Sequence, residues 1–301
     1  MTKPSRVSNT IFIDEEINIY EGEQAAALIH AKADLEVSDA SRGIVHVSWE
    51  RWQEAQRYEK KTWLEIEVGA DSDRNEYHQE HFANYAPIRG LAFRRGIELG
   101  CGPFTNTRFI LEQCNINEIY LLDPLLQDYL NHPFCRYWGS RLGGSLKDFT
   151  RLNVLRRRKQ VLRNLKNAHR IGGLMGKQVY LESLPIEMYK PNVTFDLVVM
   201  VNVIEHCQDA EVIFKKILEF LDPGGIFIFA DKLYRAEEVQ RLSSILYDAG
   251  HPLRIDRSVI DDFLNQHFDS LMHAEYFVEQ NFRGIELDRY ELYFIGKKRS
   301  Y

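Results

Sequence analysis

From Gly90 onward, short apolar segments alternate with amphipathic ones, and this alternation restricts the fold more than any other feature of the chain. Arg95–Leu99 and Glu118–Leu122 are strand-length apolar runs followed by turn residues, and Gln178–Leu181 is a third, weaker one. Phe195–Val201 is a continuous apolar run of the kind buried on both faces of a sheet, and Ile226–Ala230 is another. Between the last two, Asp209–Leu221 sets Val212, Ile213, Ile217 and Leu221 on one helical face, and Pro223-Gly224-Gly225 marks a turn. Strands separated by helices pair in parallel through right-handed crossovers, so the expectation is an α/β domain. Two further strands are expected near His273–Glu279 and Arg289–Lys297, the last alternating like an antiparallel edge.

Two regions stand outside this rhythm. In residues 1–89, Ile11–Tyr20 alternates like a strand and Glu23–Ala33 fits a short helix. Trp49–Trp63 carries Trp52, Ala55, Tyr58 and Trp63 among many charges, as an amphipathic helix would. Gly69–Glu76 is polar and acidic and reads as a loop, and the whole portion reads as an N-terminal cap. The second region lies between the second and third strands, where about a dozen residues would complete a crossover. The chain instead carries an insertion at about 135–176, with Gly139–Gly144 and a basic run of Arg151, Arg156, Arg157, Arg158, Lys159, Arg163, Lys166 and Arg170. Leu152, Leu155, Leu162 and Leu165 fall among these at helical spacings. The run fits a solvated helix face, or a surface that recruits an anionic substrate or membrane. The domain organisation expected is therefore a cap or lid over 1–89 and an α/β domain over 90–301 with a helical insertion.

The chemistry is concentrated at Gly96-Ile97-Glu98-Leu99-Gly100-Cys101-Gly102-Pro103, between the first strand and an expected helix at Thr105–Gln113. Gly100 and Gly102 permit a sharp turn and close approach of a ligand, and the helix start offers unpaired N–H groups. About twenty residues on, Asp123 ends the second strand, where a carboxylate accepts hydrogen bonds from both ribose hydroxyls. Thr105 stands where a dinucleotide site has its third glycine, and Glu98 would oppose a pyrophosphate but suit a cofactor with an amino group. The competing readings are a helix N-cap for Asp123 and a buried structural carboxylate for Glu98.

Residues from about 90 to 232 resemble the class I S-adenosylmethionine-dependent methyltransferases of the methyltransferase-11-like group, which carries an EH..D motif. The resemblance rests on Glu98-Leu99-Gly100-Cys101-Gly102, on Asp123, on Leu181-Glu182-Ser183-Leu184-Pro185 after the third strand, on Phe195-Asp196-Leu197-Val198, on Asn202-Val203-Ile204-Glu205-His206-Cys207-Gln208-Asp209, and on Leu221-Asp222-Pro223-Gly224-Gly225. It implies a Rossmann-like, mostly parallel sheet and S-adenosyl-L-methionine as cofactor. The implied cofactor residues are Glu98, Gly100, Cys101, Gly102, Asp123, Pro124, Leu181, Glu182, Ser183, Leu184, Asn202 and Val203. Tyr180 and Leu181 depart from the aspartate and small residue common before the adenine-contacting segment. Trp52, Gln56, Tyr58 and Trp63 resemble a helix that leads into the fold in some bacterial methyltransferases.

His206 follows the fourth strand, where the sheet opens into a ligand crevice, and is the candidate general base; packing under the cofactor or capping a helix is the alternative. Tyr58, Trp63 and Tyr85 are candidates to close the cap over the crevice. Asp196 reads as structural. His78 and His81 have helical spacing but no complete ligand pattern, so a solvated polar helix is expected and no metal site. His132 and Cys135 are read with the same scepticism. Gly172–Gln178 fails as a phosphate loop, with Ile171 and Gln178 at its required positions.

Composition excludes several classes. A net charge of −6 opposes a general nucleic-acid binder. No window approaches the roughly 18 apolar residues of a membrane span, and Met1–Thr10 is polar without an apolar signal core. Cys101, Cys114, Cys135 and Cys207 form no CxxC pair and read as reduced thiols of a cytoplasmic protein. The expected activity is O-methylation of a polar small molecule or sugar, with an anionic acceptor suggested by the insertion. An N-methyltransferase of a small amine and a cofactor-binding regulatory protein remain as alternatives. The sequence fixes no oligomeric state and is compatible with a homo-oligomer.

Overall fold

The computed structural model describes residues 42–66, 74–131, 174, 177–245, 247–282 and 285–300. The expected strand at 11–20, the helix at 23–33, His132, Cys135, Gly139–Gly144 and the basic run at 151–170 lie outside the described residues. In chain order the strands are β1 (Gly43–Ile44), β2 (Ala92–Leu99), β3 (Asn115–Leu122), β4 (Gln178–Glu182), β5 (Phe195–Val201), β6 (Leu221–Leu233), β7 (Arg254–Ile255), β8 (Phe268–Phe282) and β9 (Ile285–Lys298). The helices are α1 (Trp49–Lys61), α2 (Arg74–His81), α3 (Thr107–Ile110), α4 (Leu126–Asn131), α5 (Ala210–Phe220), α6 (Ala236–Ile245) and α7 (Arg257–His267).

Seven strands form one sheet in the order β4-β3-β2-β5-β6-β9-β8. The pairs from β4 to β6 are parallel, while β9 runs antiparallel to both β6 and β8. This is the Rossmann-like sheet with its antiparallel margin. The chain order reverses between β2 and β5, and a ligand crevice opens beyond the carboxyl ends of strands at such a switch point.

The apolar run of β5 shows why both faces must be covered. Val198 and Met200 enter one core cluster, with Ile213 and Ile217 of α5 and Ile260 and Phe263 of α7. Leu197, Val199 and Val201 enter the other, with Phe82, Tyr85, Phe109 and Ile110. Side chains alternate across a strand, so an unbroken apolar run serves two cores. Asp222–Gly225 buckles out of the β5–β6 pairing, which steps from Phe195 opposite Leu221 to Leu197 opposite Ile226.

Three expectations are corrected. The strand near Arg289–Lys297 is not the edge: β9 sits between β6 and β8, and Leu292, Tyr293, Phe294 and Ile295 are all buried. The helix expected over Thr105–Gln113 is only α3, flanked by turns. His78 and His81 are not on a solvated helix. His78 Nδ1 lies 3.0 Å from the Tyr293 hydroxyl, and the His81 ring stacks on Tyr293 and meets Tyr276 edge-on.

Two aspartates act structurally. Asp196 accepts the N–H groups of Arg94 (2.7 Å) and Arg95 (2.8 Å), fastening the start of β5 to β2. Asp209 caps α5 by accepting the Val212 N–H at 3.0 Å, and its other oxygen meets His46 Nδ1 at 3.0 Å. Asp209→Ala is expected to cost about 1 kcal/mol in urea denaturation, the usual loss of an N-cap. No helix among the described residues is long and apolar enough to cross a membrane.

Candidate active site

The loops after β2, β3 and β4 are stitched together at the crevice. Gly100 and Cys101 donate to Leu122 O (2.8 and 3.2 Å), Asp123 N donates to Glu182 O (3.1 Å), and Ser183 Oγ donates to Pro124 O (3.1 Å). Gly100 has φ +67°, and a Cβ there would meet the Val203 methyls at 2.5 Å. Gly102 has φ +53°, but a Cβ there would meet nothing within 4 Å. One glycine is therefore required by packing, and the other faces open space.

Asp123 lies beside that open turn. Oδ2 accepts the Gly102 N–H at 3.0 Å and Oδ1 accepts the Leu125 N–H at 2.8 Å. Burial pushes its carboxyl up to about 7, against the pull of the two N–H groups. Each oxygen accepts one of these bonds, leaving acceptor capacity for a diol. Asp123 also starts the turn into α4, since Leu126 N donates to its carbonyl.

Glu98 differs from its expected role. Its carboxylate accepts from Thr105 Oγ1, Asn106 N (2.7 Å), Asn106 Nδ2 (3.2 Å), Thr107 N (3.1 Å) and Thr107 Oγ1 (2.7 Å). A carboxylate offers about four lone-pair sites, so this one is filled by the chain itself. It fixes the glycine loop onto the start of α3 and has no room for a cofactor amino group. The Cys101 side chain is likewise packed in the core, so that residue contributes backbone shape. Tyr85 is corrected too. It is fully buried, stacked on Phe82 at 5.0 Å, with its hydroxyl unpartnered, and so is no lid surface. Ala83, Asn84 and Tyr85 all have left-handed φ.

The remaining positions line the same edge. Leu181 packs partly against the core, Glu182 and Ser183 are half-buried, and Leu184 is exposed. Asn202 is left-handed at φ +58° and donates its N–H to Ala230 O at 2.7 Å. Val203 N and Ile204 N donate to Asp231 at 2.9 and 2.8 Å.

α1 crosses this edge. Arg51 donates to the carbonyls of Asp248 and Ala249, Gln56 Nε2 donates to His206 O (3.2 Å), and Lys60 pairs with Asp128 (2.9 Å). Trp63 donates Nε1 to Glu59 Oε2 (2.8 Å) and meets Phe104 of the glycine loop edge-on. Tyr58 packs against Gly250, where any Cβ would strike its ring at 2.7 Å.

His206 lies beneath α1. Nδ1 donates to Gly250 O at 3.0 Å, with Glu59 Oε1 at 3.4 Å, and Nε2 is 3.8 Å from Glu205 Oε1. Its ring is 4.7 Å from that of His251, whose Nδ1 donates to Asp248 Oδ2 at 2.8 Å and whose Nε2 is 3.6 Å from the same Glu205 oxygen. Lys232 Nζ pairs with that oxygen at 2.5 Å. Burial pushes the His206 imidazole down, with Glu59 opposing. Burial also pulls on His251, but Asp248 and Glu205 outweigh it and leave that ring above its ordinary value. Burial pushes Glu205 up, yet His251 and Lys232 hold it well below the carboxylate range. Glu59, Lys232, Asp248 and His251 were not anticipated. They lie on separate segments of the chain with no shared spacing.

Among solved structures, the chain is similar to the N-methyltransferase NodS from Bradyrhizobium japonicum in complex with S-adenosyl-L-homocysteine, at 13% identity over 83% of this chain and 99% of that one, TM-score 0.48. It is similar to a 1,6-didemethyltoxoflavin-N1-methyltransferase from Burkholderia thailandensis, at 12% over 96% and 99%, TM-score 0.47. It is also similar to a SAM-dependent methyltransferase from Leishmania major, at 15% over 97% and 100%, TM-score 0.48. No curated protein matches its sequence. Residues 71–282, more than half of the chain, match the family described as "Methyltransferase domain". The chain thus belongs to this methyltransferase-domain family.

Proposed function

We propose that this enzyme methylates an oxygen of a polar small molecule or sugar, in glycan or natural-product biosynthesis. The observation that carries this reading is the pairing of two half-sites on one sheet edge: the open turn at Gly102 beside Asp123, and the half-buried His206 on the loop after β5. An acceptor hydroxyl must lose a proton, and His206 is a group able to assist that loss.

The residues fit S-adenosylmethionine, with Asp123 taking the ribose hydroxyls, Leu181–Leu184 flanking the adenine, and Gly100–Gly102 with Asn202 and Val203 forming the floor. The cofactor supplies an activated methyl group, so the chain's own task is orientation and exclusion of water. α1, with Tyr58 and Trp63, serves as the lid, and residues 1–89 act as a cap on the transfer domain. The basic run at 151–170 recruits an anionic acceptor. We place the enzyme in the cytoplasm, where its buried thiols Cys101, Cys114 and Cys207 stay reduced.

A second reading is N-methylation of a small amine. One observation favours it: the Glu59 carboxylate lies 3.4 Å from His206 and would draw an ammonium. Calorimetry with S-adenosylhomocysteine, followed by a mass-spectrometric screen of hydroxyl and amine acceptors, separates the readings. The expected outcome is saturable binding with transfer to a hydroxyl. His206→Ala then lowers turnover by roughly 10²–10⁴ with cofactor affinity unchanged, the loss typical of removed acid–base assistance. Transfer to an amine that is indifferent to His206→Ala favours the second reading. Binding without transfer leaves a regulatory cofactor-binding protein.

A further inference from the structure

We propose that Glu59, His206 and His251 form a site for a divalent transition-metal cation, of the zinc or cobalt type, at the acceptor end of the crevice. The three residues come from α1, the loop after β5 and the loop before β7. One ligand atom of each lies within 4.8 Å of the other two.

The imidazoles are arranged as ligands require. Each Nδ1 faces an oxygen that can only accept, Gly250 O for His206 and Asp248 Oδ2 for His251, so each Nδ1 carries the proton. In the neutral rings Nε2 then bears the lone pair. A carboxylate or carbonyl behind the second ring nitrogen is the usual support of a metal-bound histidine. His251 with Asp248 has the first form, and His206 with Gly250 has the second.

The charges around the cluster call for a cation. Both Nε2 atoms point toward one Glu205 oxygen, at 3.8 and 3.6 Å, so lone pairs face a carboxylate. Lys232 already pairs with Glu205, and Arg254 acts on Asp248, so Glu59, 3.4 Å from His206, is the carboxylate a bound cation would meet directly. Two histidines and a carboxylate suit zinc-like cations. Side-chain exposures of 15%, 16% and 32% leave an opening for a water or an acceptor as a further ligand. Three protein ligands with an open position is the form of a catalytic site.

This inference rests on the reading that the site assists proton loss from a hydroxyl, and it gives His206 the part of a ligand in place of the base. A cation there makes a bound hydroxyl more acidic, the proton passing to solvent, and it pins α1 to the crevice through Glu59.

The test uses the full chain, stripped with chelator and titrated with cobalt(II) chloride. The expected result is one equivalent bound, visible absorption of low-coordinate cobalt and a higher melting temperature. Glu59→Gln and His251→Ala each weaken binding at least tenfold, Asp248→Asn weakens it roughly 10–100-fold, and His273→Ala leaves it unchanged. Melting curves without metal confirm that each variant folds. No saturable binding by the wild type, or binding indifferent to both Glu59→Gln and His251→Ala, overturns the proposal. Cofactor binding in the chelated protein and methyl transfer by the protein before chelation report separately on the function proposed above.

Discussion

Asp123→Ala is expected to weaken S-adenosylhomocysteine binding by roughly 10²–10⁴-fold. Two charge-assisted hydrogen bonds to ribose hydroxyls, each worth about 1.5–3 kcal/mol, would be lost from a buried acceptor. The same change strips the partner from Gly102 N and Leu125 N. Asp123→Asn keeps one acceptor oxygen and the shape of the turn, so its loss should be smaller. Calorimetry on both variants checks this, and unchanged affinity in Asp123→Ala would remove the site assignment.

The raised carboxyl adds a pH signature. With the Asp123 carboxyl at about 7 in the free protein, the ionised acceptor needed by the ribose is depleted below that pH. Affinity should fall up to tenfold per unit as pH drops below about 7 and level off above it. Protons are released on binding in the lower range, visible as a dependence of the heat on buffer. The effect on folding has the opposite sign. The folded chain keeps a proton that the unfolded chain loses near 3.8. Its stability is therefore greatest below that value and declines as pH rises toward 7. Asp123→Asn should remove both dependences.

The second large effect separates the two glycines of the turn. Gly100→Ala forces a left-handed residue and drives its Cβ into Val203 at 2.5 Å. The strain of about 1–2 kcal/mol and the overpacking of about 1–3 kcal/mol add, so urea denaturation should show a loss of several kcal/mol. Gly102→Ala carries only the strain, because its Cβ meets nothing. It should lose only that roughly 1–2 kcal/mol of stability and lose cofactor affinity, since the methyl enters the space the ligand needs. Equal loss of stability in the two variants would contradict this division. Val203→Ala should relieve Gly100→Ala in part.

The parallel strands and the glycine turn were legible in the sequence because their causes are local. β5 is apolar at every step because its neighbours cover both faces, and that pattern survives in one dimension. Gly100 and Gly102 declare themselves because few other residues tolerate the turn. The margin of the sheet was misread. β9 alternates in sequence as an edge strand would, yet β8 pairs along its whole length and becomes the edge. Strand order is a property of pairing partners, which no single segment contains.

The sequence by itself determined the α/β class, the turn after the first strand, and the carboxylate at the end of the second. Those follow from backbone sterics and from burial repeated at fixed spacing. Only the tertiary structure decided what the side chains do. Glu98 looked available to a ligand until Thr105, Asn106 and Thr107 folded back to fill its lone pairs. Tyr85 looked like a lid until the turn before β2 buried it. Glu59, His206 and His251 carry no shared pattern along the chain, because they meet through a helix and two loops brought together by the sheet. Chemistry that depends on convergence at a few ångströms is written in three dimensions, whereas periodicity is written in one.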